Sequence, residues 1–291
     1  MQNLQTAAPD PRLAPFVRCF AQRETMPGSL PEIQAVIASL ENILTFDLCE
    51  PTIISYPAGV ATGRAPIALL GPRTTYGGTA SLSGHVLCFG IFLRPFTPWR
   101  LFGIPTAEMV GLDCDATAVF GSWVADLWHK LGSCRTFTQR IVVATEALLG
   151  FVNTARPFTS IMRTVQRLRS SDASARVARV AHDSAMSVRS YERQFAGEIG
   201  ISPKEFARLS RFATAIDLRR MNKDSWLNIS HELGYFDQTH MMRDFRIFAG
   251  DAPGRLVRPE SDFQPWSVGN ALRRNEKWKW TGERDLEAGL L

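Results

Sequence analysis

Two short stretches of this chain of 291 residues set hydrogen-bonding side chains on one helical face, opposite an apolar stripe. In the first, Val188, Tyr191, Phe195 and Ile199 recur at the spacing of a helix that faces a core, which turns Arg189, Ser190, Glu192 and Arg193 outward. In the second, Met241, Phe245 and Phe248 make the apolar stripe, and Thr239, His240 and Arg243 look away from it. The chemistry open to such faces is recognition of a duplex. A guanidinium fork matches phosphate oxygens and the O6/N7 edge of guanine, and a carboxylate accepts from cytosine N4. Each residue also has a plainer use. Arg193 and Arg243, which occupy the same slot of their two stretches, would serve equally as structural arginines paired with a nearby acid. Glu192 would serve to orient Arg189, and His240 to cover the backbone.

The elements around these faces are those of two helix-turn-helix units. A helix carrying Val177, Val180 and Ala181 leads through a turn at Asp183–Met186 to Ser187, which is placed to cap the next helix by accepting from its free N–H groups. Small residues at Ala181 and Ala185 let the two helices cross closely. About 49 residues later, a helix with Leu227, Ile229 and Leu233 turns at Gly234-Tyr235-Phe236, and Asp237 is placed to cap its successor. Gly250 then supplies a stop, with Pro253 just beyond. Between the units, Ser202-Pro203 opens a helix over Lys204–Met221 with Phe206, Leu209, Phe212, Ala213 and Ile216 on its apolar face. At 1.5 Å per residue a helix of about 20 residues spans roughly 30 Å, close to the ~34 Å of one duplex turn.

Charge follows the same division. Residues 1–155 hold 10 Lys+Arg against 11 Asp+Glu, whereas 156–258 hold 18 against 11, and only Lys204 and Lys223 among those 18 are not arginine. The first 115 residues carry strand signals at Ile43–Leu48, Thr52–Tyr56, Ile67–Leu70 and Val86–Leu93, punctuated by Gly- and Pro-rich turns. Helical spacing takes over at Thr117–Leu131 (Val119, Trp123, Leu127, Leu131) and Thr138–Val152 (Ile141, Thr145, Leu148, Val152), a pair expected to bridge the domains or to offer a partner surface. Arg156-Pro157 marks a boundary, since proline turns the preceding residue away from helix. The expected fold is therefore α+β: a β-rich, barrel-like domain with bridging helices over 1–155, an all-α double helix-turn-helix domain over 156–258, and a polar tail over 259–291. Cys19, Cys49, Cys88, Cys114 and Cys134 are too scattered for a disulfide framework or a zinc motif, and His85 and His129 stand apart. No phosphate-binding glycine loop, nucleophile elbow or H-E-x-x-H occurs. These readings give no metal, no cofactor and no catalytic residue. The N-terminus lacks the pattern of a signal peptide, and no apolar run approaches the roughly 20 residues that span a bilayer, so a cytoplasmic location is expected.

Ser187–Arg211 (SVRSYERQFAGEIGISPKEFARLSR) and Ile229–Pro253 (ISHELGYFDQTHMMRDFRIFAGDAP) resemble the two halves of the AraC/XylS regulator domain in both order and spacing. The resemblance covers about 95 residues. It departs at Ala185, where the family has glycine, and at Ser230, where it has alanine. It implies a bacterial transcription regulator, in the family's role of activator, with base-reading positions at Arg189, Glu192 and Arg193 and at Thr239, His240 and Arg243. Gln238 and Thr239 fall where the family contacts phosphate. The partners it implies are double-stranded DNA and RNA polymerase, with control through a small-molecule effector or homodimerisation of the first domain. Leu93–Pro105 is similar to part of a sensor domain in other members. The alternative, a DNA-repair or other enzyme fused to such a domain, needs a cysteine cluster or catalytic motif that the sequence lacks.

Overall fold

The computed structural model describes residues 3–28, 31–56, 62–165, 173–222 and 225–256. The expected 259–291 tail lies outside the described residues. Among the described residues ten strands come first: β1 (Asn3–Ala7), β2 (Val17–Glu24), β3 (Glu32–Ala35), β4 (Asn42–Asp47), β5 (Ile53–Ser55), β6 (Thr62–Gly63), β7 (Ile67–Leu70), β8 (Thr79–Leu82), β9 (Leu87–Leu93) and β10 (Asp113–Asp115). They form a six-stranded sheet, β1-β2-β9-β4-β7-β10, and a four-stranded one, β3-β8-β5-β6, with every pairing antiparallel.

The middle strands of the larger sheet are buried on both faces, and their alternation separates two environments. Phe20, Leu44, Phe46, Phe89 and Ile91 face a layer of helices, while Cys19, Ala21, Ile43 and Phe92 belong to a separate cluster on the other side of the sheet. The helical layer is α1 (Ala116–Phe120), α2 (Ser122–Ser133) and α3 (Phe137–Val152). Gly121, at φ 78°, breaks the first expected helix in two and leaves Val119 near the surface. Val124, Leu127, Leu131, Ala144 and Leu148 all pack into the core beneath the sheet, so α2 and α3 cover the β domain. Buried Arg140 on α3 ties them to it, donating to Gln22 Oε1 at 2.8 Å and to the Cys134 carbonyl at 2.6 Å.

The described residues that follow are mainly helical: α4 (Ser160–Thr164), α5 (Ala173–Asp183), α6 (Val188–Ile199), α7 (Pro203–Asn222), α8 (Trp226–Glu232), α9 (Gln238–Ala249) and α10 (Pro253–Leu256). At its entrance, the guanidinium of Arg100 lies 4.4 Å from the centre of the Phe16 ring and 3.7 Å from that of Phe158. It donates from Nε to the Arg156 carbonyl at 2.8 Å. Burial pulls its pKa down to about 10. The second core gathers Tyr191, Phe195, Phe206, Phe212, Phe245 and Phe248, and it also takes in Ile37, Ala38 and Phe96 from the β-rich half. The two halves therefore share one apolar interior at their junction. No helix among the described residues is long and apolar enough to cross a membrane.

Candidate nucleic-acid interface

In the first unit, α5 ends in a turn that Met186 closes by donating its N–H to the Ala181 carbonyl at 2.9 Å. Ala185 adopts φ 53° there, the only non-glycine residue among the described ones with positive φ, which gives the physical reason for a glycine at this position in the family. Ser187 caps α6 by accepting from Ser190 N at 3.2 Å. Tyr191, Phe195 and Ile199 are buried as the spacing requires, but Val188, expected in the core, is 43% exposed. It is the first residue of its helix, ahead of the turn that packs, so its apolar character says nothing about its place. Arg189, Glu192 and Arg193 are exposed and Ser190 is half-buried beside them.

The second unit repeats this frame. Ser225 caps α8 by accepting from Asn228 N at 3.2 Å, Gly234 turns the chain at φ 67°, and Asp237 caps α9 by accepting from His240 N at 2.6 Å. Met241, Phe245 and Phe248 are buried, whereas Leu227, expected on the inner face of α8, is 51% exposed. Gln238, Thr239 and Arg243 are exposed, and His240 is half-buried with its ring edge-on to Tyr235 at 5.6 Å. All eight candidate residues thus lie on or beside the outer faces of two capped helices. Each helix also offers free backbone N–H groups at its positive end, where phosphate binds well. Among the described residues no acid pairs with Arg193 or Arg243. Their heads are open to solvent.

The spacer α7 has 20 residues, hence about 30 Å. It opens on Pro203, with Ser202 Oγ accepting from Glu205 N at 3.2 Å. Its apolar side holds both units: Phe206 meets Phe195 at 5.6 Å, and Phe212 meets Phe245 at 4.9 Å and Phe248 at 5.2 Å. Two of its arginines are committed to the interior. Arg208 pairs with the fully buried Asp244 at 2.5 Å, and Arg211 lies 4.8 Å from the Tyr235 ring centre. Burial pushes the Tyr235 hydroxyl well above its ordinary pKa. The positive balance of the segment therefore overstates the charge available to a duplex.

Sequence reasoning missed Phe236, which is 91% exposed immediately before the cap of α9, and missed how the β-rich half holds both recognition helices. The hydroxyl of Thr106, in the 3-10 turn Thr106–Met109, donates to the Glu198 carbonyl in the last turn of α6 at 2.8 Å. The N–H groups of Tyr76 and Ala38 donate to the Ile247 and Phe248 carbonyls in the last turn of α9, at 2.8 and 2.7 Å. The closing glycines are where the halves touch: a Cβ on Gly200 would lie 2.6 Å from the Thr106 carbonyl oxygen, and one on Gly250 2.8 Å from the Tyr76 ring. The stretch Leu93–Pro105 leads directly into this contact. Only its resemblance to a sensor domain pointed there.

Residues 180–258 match the family model described as a helix-turn-helix domain. This segment is an AraC-type helix-turn-helix domain. A helix-turn-helix domain implies DNA binding. A search of curated proteins finds no significant match to the whole sequence. Among solved structures, the apo form of a single-residue variant of ToxT from Vibrio cholerae aligns over 81% of this chain and 96% of its own, at 10% identity and TM-score 0.45. Wild-type ToxT of the same organism with bound unsaturated fatty acid aligns over 88% and 93%, at 9% identity and TM-score 0.43. The AraC-like transcriptional activator CuxR aligns over 70% and 84%, at 14% identity and TM-score 0.26. The AraC-type domain keeps its two departures in workable form, since Ala185 takes the left-handed turn and buried Ser230 donates from Oγ to the Leu227 carbonyl at 2.7 Å.

Proposed function

We propose that this regulator reads one asymmetric DNA element, with α6 and α9 entering successive major grooves. The observation that carries the reading is the pair of capped helices, each showing its predicted polar face to solvent, on a common spacer of about one duplex turn. Arg189 and Arg193 supply two guanidinium forks for base edges, with Glu192 and Ser190 beside them. Gln238, Thr239, His240 and Arg243 supply one fork and more capacity for holding the backbone. Residues 156–258 act as the DNA-binding unit and 1–155 as a sensing or dimerising unit that answers to a small effector or a second copy of the chain. RNA polymerase is the partner through which an activator of this kind works, and the cytoplasm is where its DNA lies. The chain is not an enzyme on this reading.

Selection of bound sequences from randomised duplexes, using the full-length protein, tests it. Two base-specific blocks about one helical turn apart are expected, and affinity for the selected duplex should fall with salt at a log–log slope of about −0.9 per phosphate neutralised. A slope near zero would remove the DNA-binding reading. A single block would remove the use of two grooves.

A further inference from the structure

Phe236 is 91% exposed, more than any other large apolar side chain among the described residues. It stands at the entrance of α9, directly before Asp237, whose carboxylate accepts from His240 N and so begins the helix. The residue before a helix cap is often apolar because it packs onto the fourth residue of the helix and fixes the angle at which the chain enters. The first unit follows that rule: Met186 precedes the cap Ser187 and packs against the core that holds Tyr191, the fourth residue of α6. In the second unit the fourth residue is Met241, which is fully buried, while Phe236 stays in solvent. Its neighbour does the packing instead. Tyr235 is buried, with the Arg211 guanidinium 4.8 Å from its ring centre and the His240 ring edge-on at 5.6 Å.

A phenylalanine left in solvent forgoes the burial that favours it elsewhere, and this one does so next to exposed polar residues. Gln238 and Thr239 follow it within three positions, at the end of the recognition helix whose residues meet base edges in a helix-turn-helix. Phe236 thus continues the candidate interface past the start of α9. It is none of the eight residues that the sequence singled out, because it carries no polar group. A benzyl side chain neither donates nor accepts a conventional hydrogen bond, so phosphate oxygens and the donor–acceptor pattern of a base pair offer it nothing. The apolar mark in the major groove is the C5-methyl of thymine, which phenylalanine suits. Contact with it gives the second unit a means of base readout that its polar residues, better fitted to the backbone, do not supply.

We propose that Phe236 is a specificity-determining residue that reads one thymine, through its C5-methyl group, in the block contacted by α9. The inference rests on the regulator reading above and names one base of its site. Thymine should occupy a fixed position in the block of the selected element that Arg189→Ala leaves intact. Replacing the thymines of that block one at a time by deoxyuridine removes a methyl group and nothing else. At one position this should weaken binding of the full-length protein about fourfold, the effect of exposing one buried methyl-sized group. Phe236→Ala should bind the unmodified element more weakly and be indifferent to deoxyuridine at that same position. Its urea unfolding midpoint should match that of the parent protein, since the ring it loses lies in solvent. A lowered midpoint would make the residue structural and overturn the proposal. So would a block without a fixed thymine, or a loss in Phe236→Ala that is equal for all sequences, which marks a contact to sugars. If the parent protein binds the element with a steep salt slope but no deoxyuridine matters, or if Phe236→Ala keeps the same sensitivity, this inference alone falls. A parent protein that binds no duplex, or binds with a slope near zero, removes the regulator reading and this inference with it.

Discussion

The two helix-turn-helix units are offset by 50 residues and agree wherever the backbone leaves no choice. Ser187 and Asp237 cap, Phe195 and Phe245 fill the core, and Gly200 and Gly250 close the helices in the left-handed conformation. They differ in what they do with a buried polar position. Gln194 in the first unit is half-buried and donates to Glu198 at 3.0 Å, and Glu198 also accepts from the Thr159 hydroxyl. The equivalent Asp244 is fully buried and depends on Arg208 of the spacer. The difference assigns different duties. The first unit is held by neutral donors and shows Arg189 and Arg193 on its recognition helix, whereas the second draws the spacer's arginines inward, shows Arg243 and Arg246 on α9, and is capped by the β-rich half.

The largest test of this contrast is the buried pair. Arg208→Met keeps much of the aliphatic stem and strands Asp244, and should lower stability by about 3 kcal/mol in urea unfolding, as loss of one partner of a buried pair does. Thr159→Val, which leaves Glu198 its Gln194 partner, should cost nearer ~1.5 kcal/mol. Equal losses would mean that the two units are held alike. Next comes base readout. Arg189→Ala should relax preference in one block of the selected DNA element by about 1–3 kcal/mol of discrimination, while Arg243→Ala weakens binding more evenly across sequences. The reverse pattern in a selection experiment would exchange the roles of α6 and α9. The smallest effect lies in the turns. Ala185→Gly should raise the unfolding midpoint, with a gain of up to about 1 kcal/mol, because it relieves an alanine at φ 53°. Gly234→Ala, at φ 67°, should lose about as much. A neutral Ala185→Gly would show that the first turn is not strained.

The outward faces of α6 and α9 were legible because a helix with one buried stripe has only one way to turn its polar residues, and because Ser187, Asp237 and Gly250 punctuate it locally. Short-range apolar pattern failed at helix starts, where Val188 and Leu227 reach solvent, and at Val119, where Gly121 breaks the period. Strand β2 was not legible at all. It carries Arg23, a charged residue that becomes core only because Gln34 and the facing sheet enclose it.

By itself the sequence determined the two capped helices, the length of their spacer and the eight polar residues that they show, since each follows from contacts within a few residues along the chain. Only the tertiary structure decided which arginines are spent inside, as Arg208 and Arg211 are, and which remain for a partner. It also decided that the last carbonyls of α9 are satisfied by residues more than 170 positions earlier, on a ribbon that lines a cavity between two sheets. A hydrogen bond between backbone groups carries no side-chain signature, so no pattern of residue types could announce it.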